Sequence, residues 1–189
     1  MDNKLRIINY LGKNKGESYS MHELSRHIHM PYATLFRTVK EIEDFIVIKK
    51  VGKAKTITLN TINPALKSYL VISSEEEKKE YLEKQPVLKK ITKELETKSI
   101  VLLFGSYAKG TEGKGSDIDL LIINKEGKKE MSLRKYEMLF QIKINPLFIT
   151  PKEFREMLKD TEENVGKQAL KYHIILNDAE KFWECVLYG

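Results

Sequence analysis

The sequence predicts an α+β chain in two parts: short helices closed by a hairpin, then a small mixed β-sheet flanked by helices. Three observations predict it. Apolar residues recur at helical spacing through the first 44 positions. Two β-branched stretches follow on either side of Gly52-Lys53-Ala54-Lys55. Further on, two nearly continuous apolar runs, residues 99–104 and 118–123, read as buried strands.

A length of 189 residues suits one ordinary domain or two small ones. With 41% hydrophobic and 32% charged residues, the chain fits neither a disordered tail nor a membrane protein. No apolar run approaches the roughly 18–20 residues of a bilayer span. The opening MDNKLRIINYLGKNKG lacks the apolar core of a signal peptide, and Cys185 is the single cysteine. A cytoplasmic protein without an internal disulfide or a membrane partner is expected. Charge is uneven: residues 1–60 carry 11 Lys+Arg against 6 Asp+Glu, the remainder 22 against 21. A basic first third on a near-neutral body suggests a module that faces nucleic acid.

The elements of residues 1–62 follow in order. Leu5, Ile8 and Leu11 share one helical face, and Gly12 and Gly16 are expected to end it. Ser20 and Glu23 have the spacing of a capping box, with Leu24 and Ile28 as the apolar face behind it. Pro31 suits the first turn of a helix expected to reach Asp44, with Leu35, Val39 and Ile42 facing the core. Phe45–Val51 and Thr56–Leu59 then form a hairpin with a basic tip. This order is that of a winged helix-turn-helix. Its second long helix would present Tyr32, Thr34 and Arg37 to base edges and backbone of double-stranded DNA. Lys49, Lys50, Lys53 and Lys55 of the wing would meet phosphates. The same lysines also suit a solvated hairpin edge. A homodimer is a further expected partner arrangement.

Residues 63–97 are expected to be a helical connector. Within it, Ser73-Ser74-Glu75-Glu76-Glu77 reads as a helix start with acids in its first turn, and Pro86 begins a continuation.

Residues 98–189 hold the chemistry. The first buried strand ends at Gly105-Ser106, followed by Tyr107-Ala108-Lys109-Gly110. A glycine–serine step after a strand offers backbone N–H groups and a hydroxyl to a phosphate, and glycine allows close approach. After a loop ending at Ser116, Asp117-Ile118-Asp119 opens the second strand. Residues i and i+2 of a strand point the same way, so the two carboxylates converge. Paired carboxylates are hard oxygen ligands suited to Mg²⁺ or Mn²⁺.

The stretch GSYAKGTEGKGSDIDLLI resembles the signature of the polymerase-β-like nucleotidyltransferase superfamily, especially its minimal prokaryotic members. The resemblance implies an NTP as substrate or ligand. Gly105, Ser106, Lys109 and Ser116 would be nucleotide contacts; Asp117 and Asp119 would be the catalytic metal ligands. Such proteins usually bring a third carboxylate from a nearby strand. The strand expected over 140–149 carries Asn145 at that place, and Glu137 precedes it as a substitute.

Thr150 and Pro151 open a helix, and two last helices are expected at Val165–Leu176 and Ala179–Leu187. The histidines make no recognised zinc set. Two functions are consistent with these residues. One is a metal-dependent nucleotidyltransferase moving NMP from NTP to an acceptor, coupled to a DNA-binding module. The alternative is a DNA-binding transcriptional regulator whose second domain binds nucleotide without catalysis. A pairing with a helical partner protein, as in toxin–antitoxin systems, rests on analogy.

Overall fold

A computed structural model describes residues 1–51 and 54–189; Lys53, one of the expected wing lysines, lies outside the described residues. Two units form, Met1–Ser73 and Ser74–Gly189.

In the first unit α1 (Asn3–Lys13) starts where the Asp2 carboxylate accepts the Leu5 N–H at 2.9 Å. It runs through Gly12, which is buried, rather than stopping there. β1 (Tyr19–Ser20) was not expected; it leads into α2 (Met21–His27). The capping box is complete: Glu23 N–H donates to Ser20 Oγ at 3.2 Å, and Ser20 N–H donates to Glu23 Oε2 at 2.8 Å. α3 (Tyr32–Glu41) follows Pro31. It ends three residues before Asp44, because Glu43–Phe45 tightens into a 3₁₀ turn. β2 (Ile46–Val51) and β3 (Ala54–Leu59) pair antiparallel, and β1 adds to the other side of β3. Leu5, Ile8, Leu24, Leu35, Val39, Ile57 and Leu59 are buried, so each helix turns its apolar stripe inward.

The boundary between the units falls inside α4 (Leu66–Lys84), so the expected connector divides between them. Ser73 and Ser74 are not a helix start but lie buried in the middle of α4. Two hydrogen bonds make that burial tolerable: Ser73 Oγ donates to Leu70 O at 2.9 Å, and Ser74 Oγ accepts Trp183 Nε1–H at 2.9 Å.

The second unit continues with α5 (Pro86–Lys93), β4 (Ile100–Phe104), α6 (Gly105–Lys109) and β5 (Ile118–Ile123). After these come α7 (Arg134–Phe140), β6 (Ile144–Ile149), α8 (Pro151–Lys159), α9 (Val165–Lys171), β7 (Ile174–Asn177) and α10 (Ala179–Tyr188). The sheet order is β6-β5-β4-β7; β5 and β6 are parallel and the other pairs antiparallel. A parallel pair needs a crossover, and α7 supplies it.

Two expectations are corrected here. Residues 140–143 are not strand: Phe140 closes α7, and Gln141 takes the left-handed conformation at φ 52°. The helix expected at Val165–Leu176 stops at Lys171, and Ile174-Ile175-Leu176 becomes β7, pairing with β4. His173 marks the change, its Nδ1–H donating to Ala169 O at 2.9 Å and Leu170 O at 2.8 Å. Three branched apolar residues in a row bury better between sheet faces than on one side of a helix.

Val101, Leu103, Ile118, Leu120, Ile122, Ile144, Ile174 and Leu176 fill one sheet face with Leu82, Leu88, Ile91 and Tyr136. Alternation therefore sends Asp119 to the other face, with Leu121 and Ile123. Among the described residues no helix is long and apolar enough to cross a membrane.

Candidate active site

The site is built from three strand ends side by side. Phe104 of β4 pairs with Asp119, and Asp119 pairs on its other side with Asn145 of β6. The next residue after Phe104 is Gly105, at φ +72°. A Cβ there would lie 2.2 Å from Asp119 Oδ2, so both conformation and contact demand glycine. α6 then lasts five residues before Gly110 ends it in the left-handed region at φ 67°.

On the opposite side Asn145 Nδ2 donates to Asp117 Oδ2 at 3.1 Å and to Asp119 Oδ1 at 3.2 Å. One amide thus bridges both carboxylates. Lys143 Nζ donates to Asp117 Oδ2 at 2.9 Å. The hydrogen bond from Lys143, then that from Asn145, holds the Asp117 carboxyl below the usual carboxylate range. The same bond raises the Lys143 ammonium above the ordinary lysine value.

Lys143 was missed by reading the sequence, although parity could have found it. It sits two residues before Asn145, as Asp117 sits two before Asp119, and the two strands run parallel in register. Its backbone is fixed, since its carbonyl accepts the Ile118 N–H at 2.9 Å. Glu137, the candidate substitute acid, instead accepts the Ile144 N–H at 3.1 Å and so fastens the start of β6.

The remaining expected nucleotide contacts lie around this edge. Ser106 follows Gly105 in the first turn of α6. Ser116 Oγ accepts the Gly113 N–H at 2.9 Å and shapes the loop before Asp117. Lys109 is exposed, with its Nζ 4.9 Å from the centre of the Tyr172 ring, a cation–π contact.

Whether the residues suit a divalent cation is a question of donor chemistry. Among the described residues no three His, Cys, Asp or Glu side chains gather to hold a metal. Asp117 and Asp119 do supply oxygens that one group can reach together. Rotation of the Asn145 amide would add a third, neutral oxygen. That set fits Mg²⁺ or Mn²⁺, with Lys143 as a competing cation.

The family model for the nucleotidyltransferase domain matches residues 86–184, just over half of the chain. The chain belongs to that family. The match runs from α5 through all four strands to α10, and the family's general function is NMP transfer. No curated protein and no solved structure matches the chain.

In the first unit the expected DNA contacts Tyr32, Arg37, Lys49, Lys50 and Lys55 are exposed, and Thr34 is half-buried. The Tyr32 ring stacks on His22 with centroids 4.7 Å apart. Phe36 adds an exposed aromatic ring one helical turn on, with Lys40 Nζ 4.6 Å from its centre. Its position out of phase with Leu35 and Val39 is the signal that could have placed it outside.

Proposed function

We propose that the second unit transfers a nucleoside monophosphate from an NTP, bound with Mg²⁺ or Mn²⁺, and that the first unit binds duplex DNA. The observation that carries the transfer reading is the contact between Gly105 and Asp119 across paired strands. It brings the Gly105-Ser106 backbone step and a carboxylate pair together at neighbouring strand ends. Gly105 and Ser106 would take the triphosphate through backbone and hydroxyl. Asp117 and Asp119 would hold the cation, with Asn145 offering its amide oxygen. A divalent cation supplies charge stabilisation for the attacking and leaving oxygens of a displacement at phosphorus.

A second reading is favoured by Asn145. An amide stands opposite Asp119 where an acid would accept a proton. On that reading the chain is a DNA-bound regulator that binds nucleotide without turnover. Label transfer from α-labelled NTPs separates the two. The transfer reading expects label in a product with wild type and none with Asp119→Asn. Tight nucleotide binding with no product supports the regulator.

The DNA reading is supported by the element order of the first unit, by its three-stranded antiparallel sheet, and by the exposed basic residues named above. In a homodimer two such units would meet two half-sites. Fluorescence anisotropy with duplex DNA at several salt concentrations tests it. If Lys49, Lys50 and Lys55 meet phosphates, each Lys→Ala change reduces the slope of log affinity against log salt by about one. An unchanged slope would remove the wing from the interface.

A further inference from the structure

We infer that the first unit reads thymine: the rings of Tyr32 and Phe36 pack on thymine C5-methyl groups in the major groove, with Arg37 on a guanine beside them. The inference deepens the DNA reading above and rests on it. Its first step is which side chains α3 leaves outside. Tyr32, Ala33, Phe36, Arg37 and Lys40 are exposed, while Leu35, Thr38 and Val39 are buried. Tyr32, Phe36 and Lys40 form one row at four-residue spacing, and Ala33 and Arg37 form the row beside it. Tyr32 and Phe36 keep 43% and 46% of their surface in water. Two large rings on one row make an apolar patch that an occupant would cover.

The second step is charge, which names the occupant. Arg37 and Lys40 share this face, and Lys40 Nζ lies 4.6 Å from the centre of the Phe36 ring. Among the described residues of α3 before Glu41, no exposed one is acidic. The nearest acids along the chain are engaged elsewhere. Glu23 caps α2 through Ser20, and Glu41 pairs with Lys4 Nζ at 3.0 Å. Apolar rings in a basic surround fit a polyanion with apolar groups in its groove, and thymine alone of the four bases shows a methyl there. The two helices are also arranged for it. His29 sits in the left-handed conformation at φ 50° in the turn between them, and His22 at the start of α2 stacks on Tyr32 at the start of α3.

The third step is what the face lacks. Asn, Gln and acids, which read adenine and cytosine edges by hydrogen bonds, are missing from the exposed positions of residues 32–40. Thr38 Oγ1–H donates back to Thr34 O at 2.9 Å and is spent inside the helix. Arg37 is the exception. Its Nε–H donates to Ala33 O at 3.4 Å, which leaves the terminal nitrogens to meet guanine O6 and N7. Four residues of helix rise about 6 Å, close to two base steps, so the two rings suit thymines about two steps apart.

The test selects duplexes from a random pool with the full chain, then measures the enriched site by fluorescence anisotropy. Replacing a thymine with uracil deletes one methyl and keeps the base pair. At two positions uracil is expected to weaken wild-type binding about fourfold each, the worth of one buried apolar carbon. Phe36→Ala should bind the thymine site more weakly and lose the uracil effect at one of those positions; Phe36→Leu should retain part of it. 7-Deazaguanine, which lacks the N7 acceptor, should weaken wild type about fivefold and leave Arg37→Ala unmoved. No such difference would overturn the place given to Arg37. Uracil effects that persist in both Tyr32→Ala and Phe36→Ala would belong to DNA shape and overturn the inference. A selected site indifferent to uracil, or binding without any enriched site, also overturns it and leaves the DNA reading intact. Loss of a dimer in Phe36→Ala, with uracil-insensitive binding, would give the face to a second copy and overturn it too. No duplex binding by folded protein overturns both.

Discussion

The two flanks of β5 hold Asp119 in opposite ways. On the β4 flank the carboxylate packs against Gly105 with no room for a methyl group, and the glycine has a backbone conformation that other residues rarely adopt. On the β6 flank it meets an amide at 3.2 Å, beside a lysine whose ion pair is mostly exposed. Sterics fix one side; exchangeable polar contacts set the other. The comparison teaches where the chain can change. The β4 flank admits one residue at position 105, whereas the β6 flank is held by polar side chains that can be exchanged.

The largest effect is expected from Gly105→Ala, which breaks the rigid flank. The strained backbone alone costs roughly 1–2 kcal/mol, and Asp119 must also move away from the new methyl group. Thermal unfolding should show that loss, and NTP-dependent transfer should fall about 100-fold through misplacement of the carboxylate. Near-normal transfer would mean that Asp119 need not touch Gly105.

A smaller effect, of opposite sign, is expected on the exchangeable flank. Asn145→Asp puts a third carboxylate in register with Asp119 and should tighten Mn²⁺ binding about tenfold. Without metal the added like charge should lower the melting temperature slightly, and Mn²⁺ should restore it. Titration of Mn²⁺ followed by electron paramagnetic resonance reads the affinity. Unchanged affinity would place residue 145 outside the cation's reach.

The smallest effect sharpens the electrostatics. Carboxyl NMR should find Asp117 titrating below an ordinary aspartate, and Lys143→Met should move it back up. The stabilisation from this group is complete above the ordinary aspartate pKa and fades as pH falls through its lowered value. For Lys143 the sense reverses: its contribution is complete below the ordinary lysine pKa and fades as pH rises through the raised one. Because the pair is exposed, melting curves should barely register either change.

Local signals made most of the fold legible. Ser20 with Glu23, Thr150 with Glu153, and the apolar runs at 100–104 and 118–123 each specify an element without distant help. The failures came where a tertiary partner decides. Ser73 and Ser74 look like a helix start until the Trp183 indole reaches Ser74. Ile174–Leu176 reads as the end of a helix until β4 offers an edge to pair with. At the candidate site, the meeting of Gly105 with Asp117 and Asp119 at neighbouring strand ends was legible because all three lie in one contiguous stretch. Lys143 was not, since its role exists only once β6 lies parallel to β5.

The most direct test of the central claim is to map nucleotide on the chain by backbone amide NMR. Wild type and Asp119→Asn would be titrated with α,β-methylene analogues of the four NTPs in the presence of Mg²⁺. Expected are shifts at Gly105, Ser106, Asp117 and Asp119 in wild type, and their loss in the variant. Binding that perturbs other residues, or that is indifferent to Asp119, would contradict a metal–nucleotide site at this sheet edge.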